Sequence, residues 1–173
     1  MSGRRRFVAQ LVIFVVFTCL GALGFVQATT LQKLSFDRLL GEADLIIKGR
    51  VEELKTRQVS DRRPMTAIIR VSIENQFKGP NVSSVTIEQP GGAVGDIAQG
   101  VPGLPEFSPG ENVILFLKRH RGGAFTIVGG KQGKFTVKTQ PGSSEEVVED
   151  FAHRTEALES FLDRLTNMIK GGG

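Results

Sequence analysis

Between Leu45 and Val137, apolar side chains recur at every second position in short runs, and Gly or Pro clusters separate the runs. A chain with this period folds into strands whose alternate residues face one core. Over Leu45–Leu54, Ile47, Gly49 and Val51 alternate with Lys48, Arg50 and Glu52. Over Met65–Phe77, Ala67, Ile69, Val71 and Ile73 lie on one side and Arg70, Ser72 and Glu74 on the other. Lys78-Gly79-Pro80-Asn81 reads as a turn, followed by a strand over Val82–Glu88 with Val85 and Ile87 inward. Asn112–Lys118 contains five consecutive apolar residues, Val113 to Leu117, the pattern of a central strand buried on both faces. Phe125–Val128 and Lys134–Lys138 are two more short strands around the glycine turn Gly129-Gly130.

Gln89 to Gly110 is a long segment rich in Gly and Pro, and its prolines predict a loop without a regular ladder. Helical patterns flank the strands. Ser35 is a candidate N-cap, with Phe36, Leu39 and Leu40 on one face and Gly41 as the stop, for a lead-in helix within 29–44. Ser143-x-x-Glu146 has the form of a capping box. Val147, Phe151, Leu158, Phe161, Leu162, Leu165 and Met168 then recur at helical spacing, which predicts a long amphipathic helix over 143–170. The expected fold is mainly β (α+β). It is a small antiparallel OB-like β-barrel of five to six strands over 45–140, with a short N-terminal helix and a C-terminal helix packed on the barrel.

Residues 1–28 read as a secretory signal peptide. Arg4, Arg5 and Arg6 precede an apolar run from Phe7 to Val26, and Val26-Gln27-Ala28 offers a cleavage site that leaves Thr29 as the new N-terminus. The run is also long enough to span a bilayer if it is retained. The expected location is therefore secreted, or periplasmic within the cell envelope. Removing the three arginines takes 22 basic groups to 19 against 18 acidic ones, so the net charge falls from +4 to +1. A near-neutral mature chain lacks the positive field that nucleic-acid binding needs. The single Cys, Cys19, lies in the leader, so residues 29–173 have no disulfide and no thiolate metal ligand. Neither His120 nor His153 has a partner at metal-ligand spacing, so neither a metal site nor another cofactor is expected.

Enzyme signatures are sparse. No Gly-x-Ser-x-Gly elbow occurs, and the adjacent pairs Glu52-Glu53 and Glu145-Glu146 are poorly placed for acid–base work. Gly91-Gly92-x-x-Gly95 follows a strand, but more loop follows it rather than the helix that a phosphate site requires. The candidate contact surface is the long loop, with Gln89, Gly91, Gly92, Gly95, Asp96, Pro102 and Gly103 as its binding residues. Arg119 and Arg121 join them from the basic turn Lys118-Arg119-His120-Arg121. Arg57, Arg62 and Arg63 form a second basic group, able to meet an acidic partner jointly with the first if the two share a barrel end.

The order of motifs carries a resemblance. Ala43-Asp44-Leu45-Ile46-Ile47-Lys48-Gly49-Arg50-Val51, Phe77-Lys78-Gly79, Gln89-Pro90-Gly91-Gly92 and Pro105-x-Phe107-x-Pro109-Gly110-Glu111 precede the Val113–Leu117 strand. This succession resembles a group of small exported bacterial proteins of unassigned activity. Its layout is also similar to the netrin-type OB barrel of tissue inhibitors of metalloproteinases. The second resemblance implies an OB fold and a protease partner. Those inhibitors chelate zinc with an N-terminal Cys, where this chain would begin with Thr29. The functional expectation is an exported, non-enzymatic binding module that recognises a protein or surface polymer, in its narrowest form a partner or inhibitor of a secreted protease. The alternatives are an envelope structural protein anchored by an uncleaved N-terminal helix, and a hydrolase with an unrecognised site, to be probed by substituting Asp96 or His120.

Overall fold

Leu45–Arg57 (β1) and Thr66–Lys78 (β2) form a long antiparallel ribbon. Three register shifts, at Ile46/Ile47, Lys48/Gly49 and Val51/Glu53, interrupt its pairing. Bulges of this kind bend and twist a ribbon, and here they curl it toward closure. Gly49 sits at one of them, where an added Cβ would fall 2.2 Å from the Ser72 carbonyl oxygen, so no side chain fits.

The computed structural model describes residues 33–58, 64–120 and 122–171. The expected leader over 1–28, Cys19, Arg62, Arg63 and Arg121 lie outside these described residues. Among the described residues, no helix is long and apolar enough to cross a membrane.

Ser84–Pro90 (β3) pairs antiparallel with β2, and Asn112–Arg119 (β6) pairs antiparallel with β1. Phe125–Ile127 (β7) pairs antiparallel with the end of β6 and meets β3 in parallel at Ile87↔Phe125. The circuit β1-β2-β3-β7-β6 closes on β1, giving a five-stranded OB-like barrel. After β7, a 3₁₀ turn over Gly130–Gly133 returns the chain to the first half of β6, along which Lys134–Thr139 (β8) pairs. Glu146–Glu149 (β9) and Thr155–Ala157 (β10) then extend the sheet outward from the barrel.

The apolar run in β6 divides by parity. Val113, Leu115 and Leu117 fill the barrel with Leu45, Ile47, Ile69, Val71 and Ile87. Ile114 and Phe116 point outward into a second core with Leu39, Phe135 and Val148. Two helices cover that outer core, Phe36–Glu42 (α1) and Leu158–Gly171 (α2). Their contribution is largely aromatic: the Phe36 ring lies edge-on to Phe116 at 5.5 Å and to Phe161 at 5.6 Å, and Phe135 stands 5.0 Å from Phe161. Tilted and edge-on rings at these spacings are favourable beyond the area they bury.

Three expectations need correction. The C-terminal helix starts at Leu158, not Ser143. The Ser143 hydroxyl accepts the Glu145 N–H within a turn, and Val147 and Val148 belong to β9. These β-branched neighbours suit a strand, and the free edge of β8 supplies the partner that a helix would forgo. The lead-in helix runs over Phe36–Glu42, with Ser35 as its N-cap as expected, but Gly41 lies within it and Ala43 follows as the C-cap. Finally, the long loop contains a regular ladder. Gly92–Val94 (β4) and Ile97–Gln99 (β5) form a small two-stranded sheet. The prolines flank this ladder at 90 and 102 and leave its own amides intact.

Candidate functional site

The segment from Gln89 to Gly110 divides into a part that closes the barrel and a part that projects. Gln89 donates its side-chain amide to the Pro105 carbonyl at 2.8 Å, and Phe107 is buried in the barrel core. Leu104 N–H closes a turn on the Val101 carbonyl across Pro102-Gly103, and the Gly103 carbonyl accepts the Lys131 N–H at 2.9 Å. An added Cβ at Gly130 would fall 2.2 Å from that same Gly103 oxygen, so the turn is seated tightly against the 3₁₀ segment. Gln89, Pro102 and Gly103 are thus placed as parts of the barrel's closure.

The hairpin β4–β5 is fastened at its base. Gly91 N–H donates to the Met65 carbonyl at 2.8 Å, and Met65 N–H donates to the Gln99 side-chain oxygen at 3.2 Å. Ala93 N–H donates to the Thr56 hydroxyl at 3.0 Å. The backbone at Gly91 has φ +104°, and a Cβ there would lie 2.6 Å from the Gln99 carbonyl oxygen. At Gly92 a Cβ would land 2.4 Å from the Thr56 hydroxyl. These two glycines serve close backbone approach, and the chain continues from Gly92 as the strand β4, not as the helix a phosphate loop requires.

The tip is a two-residue turn, Gly95-Asp96, with Gly95 at φ +58°. Tight hairpins require such a conformation, and glycine supplies it without strain. Val94 and Ile97 face each other across the turn and are 43 % and 67 % exposed. Leu54, 40 % exposed near the end of β1, is the other large apolar residue left open among the described residues. Among the described residues, β5 is hydrogen-bonded in a ladder only to β4, on one of its two edges. Neither Val94 nor Ile97 was among the candidates from sequence, although Val-Gly-Asp-Ile carries the hairpin signal itself.

The basic residues fall elsewhere. Arg119 follows Leu117, the register partner of Leu45 at the start of β1, whereas Arg57 ends that 13-residue strand. Among the described residues, Arg119 and Arg57 thus sit toward opposite ends of β1. Arg119 lies over the Phe125 ring at 5.2 Å, and its N–H donates to the Asp44 carboxylate at 2.8 Å. Arg57 stands 3.8 Å from Glu88. Asp96 and His120 occupy separate exposed turns, between β4 and β5 and after β6. Among the described residues, no three His, Cys, Asp or Glu side chains are grouped to hold a metal ion.

Comparison with known proteins finds no matching family model, no matching curated protein and no matching solved structure.

Proposed function

We propose that this chain is an exported, non-catalytic binding module that engages a protein partner through the β4–β5 hairpin. The observation that carries the reading is the pair Val94 and Ile97, left open to solvent at the tip of a hairpin whose base is firmly held. Contiguous exposed apolar surface rimmed by polar residues marks contact sites, and Val94 and Ile97 adjoin across the turn. The strand edge beside them, unpaired among the described residues, offers main-chain hydrogen bonds to an incoming extended segment. Export is supported by the leader pattern over 1–28. A secreted protease is the narrower candidate partner, supported by the similarity of layout to netrin-type inhibitors. Without a Cys after residue 19, contact through the hairpin replaces zinc capture in this reading.

The test is affinity capture from the producing cell's secreted fraction, comparing the unaltered protein with the double variant Val94→Asp, Ile97→Asp. A saturable partner that the double variant loses, at unchanged thermal unfolding, supports the reading. Capture that survives the double variant overturns the hairpin assignment. An unprocessed N-terminus that fractionates with membranes overturns the exported, released form.

A further inference from the structure

A cavity of about 440 Å³ lies outside the barrel, between the start of α1, the turn joining β9 to β10, and α2. Its volume falls within the roughly 300–1,000 Å³ common for small-molecule sites. The apolar lining comes from Phe36, Leu39, Phe135 and Val148, members of the outer core that leave one side of that core open. Lys33, Asp150, Arg154, Glu156 and Arg164 supply the charged lining.

The charges are not balanced. Asp150 is fully engaged: one carboxylate oxygen accepts the N–H groups of Ala152 and Arg154 at 2.8 and 3.0 Å, and the other accepts the Arg154 guanidinium. Glu156 is paired with Arg164, whose guanidinium lies 4.4 Å from the centre of the Phe36 ring and 5.3 Å from that of Phe161. Lys33 has no acidic partner within ion-pair distance among the described residues. With three cations against two carboxylates, both already taken, the lining keeps one positive charge for a ligand. A bound cation would find no open carboxylate there.

We propose that this cavity is a binding site for a small amphipathic monocarboxylate, whose apolar body lies on Phe36, Leu39, Phe135 and Val148 and whose carboxylate meets Lys33. One net charge matches a monoanion, and the phenylalanine floor matches an alkyl chain or a single aromatic ring. This site is separate from the β4–β5 hairpin, and its ligand requires no protein partner.

The test uses decanoate as the probe, below its micelle-forming concentration, titrated into the full chain by calorimetry, with decylammonium as the charge-reversed control. The expected result is saturable one-to-one binding of decanoate, at least about tenfold tighter than decylammonium. Lys33→Glu, an exposed substitution, should cut decanoate affinity about tenfold and bring the two probes level or reverse them. Thr155→Trp, also exposed and on the cavity wall, should block both probes while thermal unfolding is unchanged. Absence of saturable binding, equal affinity for the two probes, or binding indifferent to both substitutions overturns the proposal.

Discussion

Lys134 holds Glu111 at 2.6 Å, with both side chains largely withdrawn from solvent, and so ties the end of the long loop to β8. The same ammonium lies over the Phe107 ring at 4.7 Å and donates to the Glu106 carbonyl, while Thr136 donates its hydroxyl to Glu111 at 2.9 Å. Phe107 plugs the barrel, so this ion pair sets how the plug is held. Removing one partner strands a charge in a low-dielectric site. Lys134→Met should lower the unfolding free energy by about 3 kcal/mol, the lower end of the buried-pair range, because some solvent remains. The double variant Glu111→Leu, Lys134→Met should lose less than the sum of the single losses, as direct contacts do. Urea titration of the four proteins measures this, and strictly additive losses would refute the coupling.

The two cores are separate clusters on either face of β6, one inside the barrel and one under the helices. Phe161 belongs to the outer one and is fully buried. Phe161→Ala should cost about 3–5 kcal/mol, the usual range for truncating a buried Phe. The loss should also be local in its first effect. Amide exchange should quicken in α1, α2 and β8–β10 before it quickens in β1–β3. Simultaneous loss of protection throughout would mean that the two cores unfold as one.

The barrel was legible in the chain because its signal is local and repeated. Alternation in β1, β2 and β3, and the doubly apolar run in β6, specify both faces of each strand. The start of α2 was not legible. Val147 and Phe151 fit a helical stripe as well as Phe161 and Leu165 do, and only the β8 edge, distant in sequence, decides for a strand. Asp150 then turns the chain, and His153, with φ 59°, takes a conformation no helix accepts. Part of the proposed contact surface is also hidden from the sequence, for a different reason. Gly95 and Asp96 were selected for their place in a glycine-rich loop, but the exposed pair beside them depends on a ladder that the flanking prolines obscured. The separation of Arg119 from Arg57 is fixed by strand register, which no local pattern records.

Asp150 gives the turn between β9 and β10 a dependence on pH. Burial acts to raise its pKa, but hydrogen bonds from the Arg154 side chain and from the N–H groups of Arg154 and Ala152 outweigh it, holding the carboxyl below its ordinary value of 3.8. A folded pKa below the unfolded one means that stability is full above the ordinary value and is lost as pH falls through the folded pKa. Glu149, lowered from 4.5 by hydrogen bonds from Lys138 and then His153, acts in the same direction. Asp150→Asn should therefore be less stable than the unaltered protein at neutral pH, and the gap should narrow as the pH falls past 3.8. Denaturant unfolding of both proteins across that range measures the gap. A constant difference would show that the charge of Asp150 contributes nothing.

The hairpin should be sensitive at its base and tolerant at its tip. At Gly91 a Cβ meets the Gln99 carbonyl at 2.6 Å and φ is +104°, so Gly91→Ala combines a backbone clash with a strained conformation. A cost of about 2–3 kcal/mol is expected, since strained backbone positions of this kind are worth 1–3 kcal/mol each. At Gly95 nothing lies within 4 Å of a Cβ and φ is +58°, within the left-handed region. Gly95→Ala should cost only about 1–2 kcal/mol, the intrinsic penalty of that conformation, and Gly95→Asn less, because Asn tolerates it better. Ile97→Ser removes an exposed side chain and should change stability by no more than about 0.5 kcal/mol. The expected order of loss is Gly91→Ala, then Gly95→Ala, then Ile97→Ser, read from urea midpoints at constant slope. If Ile97→Ser proves as costly as Gly91→Ala, the tip packs against the protein itself and is not free to meet a partner.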